Sequence, residues 1–331
     1  MNWYPWLNAP YRQLIAQYQA GRGHHALLIH ADEGNGDAAL VYGLSRWLLC
    51  QHPQGEKSCG ECHSCRLMLA GNHPDWHVLT PEKGKASLGI DRVRQVIDGL
   101  YTHAQQGGAK VVWLAQAEAL TEAAANALLK TLEEPAEKTY FLIGCLTPSR
   151  LLPTLRSRCS YWHLQNPSLA LSSQWIQRQQ PVDPQSVETA LKLSHGAPLA
   201  AAALLQPERW QQRQQLCQQV SSLLPSRDLL ALLPVLNHDD AAERLHWLCT
   251  LLLDAIKWQQ GAAAYLLNQD QQPLVAALAA TQGQRSLQTL MQGSLTCRHQ
   301  LLTVNAVNRE LLLTEHLLAW EALLAAPDSA F

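Results

Sequence analysis

Charge of either sign is scarce in this sequence and nearly cancels: 16% of residues are charged, and 25 Lys and Arg against 27 Asp and Glu leave a formal net charge of −2. No global basic field draws the chain to nucleic acid, so contact with a polyanion has to come from a local patch. Long apolar runs are missing as well. The most apolar stretch, residues 245–258, is interrupted by His246, Asp254 and Lys257 and falls short of the roughly 20 residues that a membrane span needs. Its Leu245, Leu248, Leu252 and Ile256 recur at helical spacing and predict the buried stripe of an amphipathic helix. No basic start joined to an apolar core opens the sequence, so a secretory signal is not expected. Nine cysteines, an odd number, argue against a disulfide framework and for a reducing, cytoplasmic setting. No fixed-period repeat occurs.

What is present is a globular composition, with 47% hydrophobic residues in a chain of 331, enough for two or three domains with buried cores. Short apolar runs at 26–29, 76–79, 111–114, 140–144 and 161–164 read as buried strands, separated by helical patterns at 39–50, 91–104 and 123–133. That alternation predicts a parallel α/β sheet. Asp91 is the expected N-cap of the second helix, and Pro135 helps to end the third. Beyond residue 164 the strand signal stops. Residues 167–207 read as a small helical unit punctuated by Pro167, Pro181, Pro184 and Pro198, and 208–331 as a Leu-, Ala- and Gln-rich helical unit broken by Pro225, Pro234 and Pro273.

After the first strand, Ala31-Asp32-Glu33-Gly34-Asn35-Gly36-Asp37-Ala38 occupies the frame of the phosphate-binding pattern G-x-x-x-x-G-K-[ST]. In that pattern backbone N–H groups cradle phosphates, Lys reaches the outer phosphates and Ser/Thr holds Mg²⁺. Gly34 and Gly36 are kept, but Asp37 stands in the lysine position and Ala38 in the hydroxyl position. A carboxylate repels a triphosphate and alanine cannot ligate a metal. The frame of an ATP site is therefore expected without its chemistry.

Just after the first helix, Cys50, Cys59, Cys62 and Cys65 form C-x8-C-x2-C-x2-C. Two-residue gaps let thiolates converge on one ion, and a closed set of four thiolates predicts structural Zn²⁺. Gly55, Ser58 and Gly60 suit the turns this needs, and Lys57 favours thiolate. An iron–sulfur cluster and unligated thiols are the alternatives; the ferredoxin-type continuation C-x3-C-P is replaced by Arg66-Leu67-Met68-Leu69. His63 and His73 are conceivable substitute ligands. Cys145, Cys159, Cys217, Cys249 and Cys297 lie in apolar surroundings and are expected in the core.

Five segments together identify a family: residues 21–29, the cysteine cluster, 128–135 (ending Leu132-Glu133-Glu134-Pro135), Leu155-Arg156-Ser157-Arg158-Cys159, and 304–311. In that order and spacing the chain resembles the clamp-loader branch of the AAA+ ATPases. The resemblance implies an α/β P-loop (AAA+/RecA-like) parallel-sheet domain, 1–166, with a zinc-binding insertion at about 50–65. A small helical lid domain, 167–207, and an all-α collar domain for oligomerisation, 208–331, follow. Residues 304–311 would belong to the last collar helix. Against the active-ATPase pattern, the strand ending Val111-Val112-Trp113-Leu114 is followed by Ala115-Gln116 where an acidic pair is expected, with Glu118 two residues further along. Cys145 stands where a small polar sensor is expected, and Leu199 where the sensor arginine is expected. Phosphoryl transfer depends on positioning and charge stabilisation, so these losses together imply no intrinsic ATPase activity and no ATP bound by this chain.

One catalytic element of the family survives. Arg158, in Ser157-Arg158-Cys159, matches the arginine finger that reaches a neighbouring subunit's ATP; the alternative is an arginine that salt-bridges a loop. Arg156 is one residue off the motif. The resemblance implies a non-hydrolysing subunit of the DNA polymerase III clamp loader, a non-catalytic part of that DNA-directed DNA polymerase. Its partners would be the gamma/tau ATPase subunits and the delta subunit, with the sliding clamp, chi/psi and primed DNA engaged indirectly. The rival readings are a stand-alone ATPase with a divergent P-loop and a zinc-dependent nucleic-acid-binding module. The first lacks any Lys or Arg in 31–38, and the second has only the mixed charges of Glu56, Lys57, Glu61 and His63. Lys83, Lys85, Arg92, Arg94 and Lys110 are candidate phosphate contacts or solvated helix faces.

Overall fold

The computed structural model describes residues 2–82, 84–304 and 306–325, which form two compact units, Met1–Pro167 and Ser168–Phe331. Lys83 and Asn305 lie outside the described residues.

The first unit runs α1 (Asn8–Gln19), β1 (Ala26–Ala31), α2 (Asp37–Leu48), α3 (His63–Leu69), β2 (Trp76–Leu79), α4 (Ile90–Leu100), β3 (Lys110–Leu114), α5 (Glu122–Glu133), β4 (Thr139–Cys145), α6 (Pro153–Arg156) and β5 (Ser160–Leu164). All five strands join one sheet in the order β2-β3-β4-β1-β5, and every pairing is parallel. Strands covered on both faces read as continuous apolar runs, which is why β1, β3 and β4 are buried almost throughout. Helices α4 and α5 contribute Val93, Val96, Leu100, Leu128 and Leu132 to a core with Leu28, Val112, Phe141 and Ile143. Gly144 on β4 leaves room for the chain just after β3, since a Cβ there would lie 2.5 Å from the Ala115 carbonyl oxygen.

Most element ends shift by a residue or two from the sequence expectation, and three shifts have a cause visible in the structure. Helix α2 begins at Asp37 rather than 39, because Gly36 turns the chain into it at φ 91°. Helix α4 has Gly89, not Asp91, at its N-cap; Asp91 sits in the first turn. It stops at Leu100, where Lys110 Nζ donates to the carbonyls of Leu100 and Thr102, the latter at 2.7 Å. Lys110 is therefore a buried brace rather than a phosphate contact.

The second unit is helical: α7 (Leu169–Gln179), α8 (Pro184–Leu193), α9 (Pro198–Leu204), α10 (Pro207–Leu223), α11 (Leu233–Leu236), α12 (Ala241–Gln259), α13 (Gln272–Thr281), α14 (Gln284–Thr303) and α15 (Arg309–Ala325). Prolines open α8, α9 and α10, where the missing N–H would have no intrahelical partner. One core links Ile176 and Val187 to Leu313, Leu317 and Trp320. The expected stripe lies on α12, with Leu245, Leu248 and Leu252 buried. Buried Arg213 pairs with Asp270 at 2.6 and 2.9 Å and with Asn268 at 2.8 Å. Asp254 in turn accepts from the N–H groups of Leu267 and Asn268. The match at 304–311 is borne out only in its last part: α14 ends at Thr303, Ala306 takes φ 57°, and Arg309–Leu311 open α15, the last helix. There the Asn308 side chain accepts the Leu311 N–H at 3.1 Å.

Candidate functional site

The phosphate-loop frame leaves the carboxyl end of β1, the position at which open parallel sheets bind ligands. Gly34 and Gly36 both hold positive φ, 82° and 91°, the left-handed region that glycine enters without penalty. Between them Asn35 is fully buried. Its Nδ2 donates to the Leu164 carbonyl at 2.8 Å, and its own carbonyl accepts from Trp6 Nε1 at 2.8 Å. Trp6 stacks on Tyr4, with ring centroids 5.0 Å apart, and the Tyr4 ring lies 3.0 Å from where a Gly36 Cβ would be. The loop is thus pinned to β5 below and packed against N-terminal aromatics above.

Asp37 opens α2 on the loop's helical side. Its carboxyl lies beside the Ala38 and Asp37 N–H groups, donors of the kind that face an anion at a helix start. Burial raises the carboxyl above its ordinary range, and these N–H groups only partly counter it. An acidic group belonging to the chain itself thus stands at the head of α2, where a phosphate would have to approach. Ala38 brings no hydroxyl to it.

At the end of β3, Ala115 and Gln116 supply no carboxylate. Glu118 has a structural task instead: its Oε1 accepts the Leu146 and Thr147 N–H groups, each at 2.6 Å, and closes the loop after β4. Cys145 is buried at the end of β4. Burial, reinforced by Glu118, pushes its thiol up to about 12, so it stays protonated at neutral pH. Leu199 lies in the first turn of α9.

Arg158 follows α6. Its Nε donates to Glu133 Oε1 at 2.7 Å, its Nη2 bonds the same oxygen, and its Nη1 donates to the Thr154 carbonyl at 2.7 Å. Both readings of this arginine therefore have a structural counterpart: it salt-bridges α5, yet its side chain stays 29% exposed. Arg156 points to solvent. Nothing in the spacing of Glu133 and Arg158, 25 residues apart, announces the pair. The Glu118 cap and the Tyr4–Trp6 cover were equally invisible, because each depends on chain segments that only the fold brings together.

The four cysteines do converge. The Sγ atoms of Cys50, Cys59, Cys62 and Cys65 all lie within 4.8 Å of one another, the one such His/Cys/Asp/Glu group among the described residues. Cys50 to Cys59 is 3.5 Å and Cys59 to Cys65 is 3.9 Å, close to the ~3.8 Å edge of a tetrahedron built on zinc–sulfur bonds of about 2.3 Å. The N–H groups of Cys59, Cys62 and Cys65 point at the sulfurs of Cys50, Cys59 and Cys62 at 3.3–3.4 Å. Backbone N–H groups of Cys62 and Glu61 bring the Cys59 thiol down to about 6. The donor set and its spacing fit a tetrathiolate metal site.

His63 and His73 do not join it. His63 is exposed at the start of α3, and buried His73 bonds Ser64 Oγ at 2.7 Å and accepts the Asp75 N–H at 3.1 Å. Of the other cysteines, Cys145, Cys217, Cys249 and Cys297 are buried and Cys159 half-buried.

Three family models match in chain order. One described as "DNA polymerase III, delta subunit" covers residues 6–168. A second, "DNA polymerase III subunit delta', AAA+ ATPase lid domain", covers 167–206, and "DNA polymerase III, delta subunit, C terminal" covers 207–322. DNA polymerase III subunit delta' of Yersinia pestis is 66% identical over 330 residues, 98% of this chain and 97% of the relative. That of Escherichia coli (strain K12) is 52% identical over 321 residues, 97% and 96% of the two chains. A more distant match, 32% over 143 residues, is to subunit tau/gamma of Haemophilus influenzae, covering 43% of this chain and 20% of that one.

Proposed function

This chain belongs to the delta' family of DNA polymerase III subunits, related to tau/gamma, and from that membership we propose a subunit that neither binds nor hydrolyses ATP and lends Arg158 to a neighbour's site. The observation that carries the reading is Asp37: the chain's own acidic side chain stands at the head of α2, where the phosphate-binding pattern would place its lysine. A triphosphate would have to displace it without help from a lysine, from an acidic pair beyond β3 or from a hydroxyl at Ala38. Arg158 remains at the surface, permanently charged and suited to phosphate oxygens. A finger supplied in trans is worth about 10³–10⁵ in rate.

In this reading 1–166 is the P-loop domain, 167–207 the lid and 208–331 the collar. Gamma/tau and delta are the neighbours in a cytoplasmic complex that loads the sliding clamp onto primed DNA, with chi/psi attached indirectly. Zn²⁺ on Cys50, Cys59, Cys62 and Cys65 is structural, since four thiolates leave no open coordination position. Among the described residues no helix is long and apolar enough to cross a membrane.

Titration of Mg-ATP into the purified chain by calorimetry tests the core of the proposal. No saturable heat is expected up to millimolar nucleotide, and a clear one-site isotherm would overturn it.

A further inference from the structure

Arg158 is held in a way that a free surface arginine is not. A guanidinium carries five N–H donors, and three are engaged: Nε and one on Nη2 by Glu133 Oε1, and one on Nη1 by the Thr154 carbonyl. Nη2 can share an oxygen with Nε only through its hydrogen on the Nε side. Each terminal nitrogen therefore keeps one N–H uncommitted, and these are the donors with which an arginine engages a phosphate.

Both anchors are themselves well placed. Glu133 is the last residue of α5, whose Leu128 and Leu132 pack into the core of the sheet domain. Thr154 lies in α6, one turn before Arg158. The pair is reachable from solvent, with side chains 29% and 48% exposed. The clamp therefore fixes the guanidinium without enclosing it.

We propose that Glu133 is the positioning residue of the arginine finger: it grips one edge of the Arg158 guanidinium so that the donors left over are already aimed outward for a phosphate oxygen. This rests on the trans-finger reading of Arg158. An arginine side chain otherwise carries substantial rotamer entropy, much of which must be lost on meeting its ligand. A side chain ordered in advance loses less, which is the general advantage of preorganisation. The opposite possibility is a latch, in which the ion pair withholds the finger until it breaks. Two uncommitted donors on a side chain that stays 29% exposed favour the clamp.

The experiment is ATP turnover by the reconstituted complex, with assembly checked by mass, for wild type, Glu133→Ala, Glu133→Gln, Arg158→Ala and the Glu133→Ala/Arg158→Ala double variant. Glu133→Ala should slow turnover on the order of 10-fold, within the range of couplings between contacting residues. The double variant should be no slower than Arg158→Ala alone. Glu133→Gln keeps an acceptor oxygen and should recover most of the loss. Faster turnover in Glu133→Ala would establish the latch and overturn the clamp. Losses that multiply in the double variant, or Glu133→Gln as slow as Glu133→Ala, would overturn it too. Failure of the underlying reading is read separately: Arg158→Ala with wild-type turnover removes the finger whatever Glu133 does.

Discussion

Asp37 stands at the first turn of α2, where a helix N-terminus favours negative charge, yet its carboxyl is raised above its ordinary range because burial outweighs the pull of the nearby Ala38 and Asp37 N–H groups. The sign matters. An acid raised in the folded state binds its proton more tightly there than in the unfolded chain, so folding loses stability as pH climbs past the unfolded value of about 3.9. At neutral pH Asp37 therefore costs stability. Asp37→Asn, which keeps an acceptor for the Ala38 N–H, should raise the urea midpoint at pH 7. The gain should shrink on acidification to pH 4, as the wild-type carboxyl takes up its proton. Midpoints measured at both values check this; a variant less stable at pH 7 would show that the helix-start charge outweighs the burial. A residue retained despite that cost suits a loop kept for its shape rather than for nucleotide.

At the scale of elements, the cysteine loop depends on its metal in a way the sheet does not. Its Gln54–Lys57 hairpin is closed by two backbone bonds of 2.8 and 3.0 Å. The Gly55 carbonyl accepts from Gln19 and Trp47, and the Glu56 carbonyl from Tyr11. These contacts tie the loop to α1 and α2, but between Cys50 and α3 the thiols are its main internal cross-link. Metal binding to such a site is folding free energy for the segment it closes. One zinc per chain is the expected result of metal analysis, with iron or no metal counting against it. Cys65→Ser should lose the metal and bring amide exchange at residues 51–60 to near the unprotected rate, while β1 and β3 keep their protection. Hydrogen-exchange mass spectrometry reads both regions at once.

The strands and the thiol cluster were legible in the sequence because both signals are local: an apolar run, or a two-residue gap between cysteines. The ends of α2 and α4 were not. They are decided by Gly36 at positive φ and by Lys110 reaching back to Leu100, and the second of these is a contact made only in the folded chain. The site divides in the same way. Asp37, Ala115 and Gln116 were readable as absences against a motif, whereas Glu133 beside Arg158 and Glu118 under the β4 loop were not, since 25 and 28 residues separate the partners. Residues 304–311 carried a family match to the last helix, but only Arg309–Leu311 lie in it, since Ala306 takes a left-handed turn ahead of its start.

At the scale of the whole molecule, large apolar side chains are exposed on the last two helices in a pattern a solitary chain does not need. Leu295 and Leu302 on α14 are 41% and 59% exposed, and Leu311 and Leu318 on α15 are 65% and 47%. Each pair is seven residues apart, two helical turns, so each marks one face of its helix. The opposite faces, with Leu287, Leu290 and Cys297 on α14 and Leu313, Leu317 and Trp320 on α15, already fill the core of the unit. If 208–331 forms the collar of an assembly, these leucines are where another subunit covers it, and their loss should leave the monomer intact. Leu311→Asp with Leu318→Asp should keep the wild-type circular dichroism and unfold within about 0.5 kcal/mol of wild type per site, the range of surface substitutions away from packed contacts. The same variant should fail to co-purify with gamma/tau subunits, because two carboxylates placed in an apolar interface have to be desolvated without partners. Co-purification in wild-type proportion would place the oligomerisation contacts elsewhere on the chain and leave these leucines as ordinary surface.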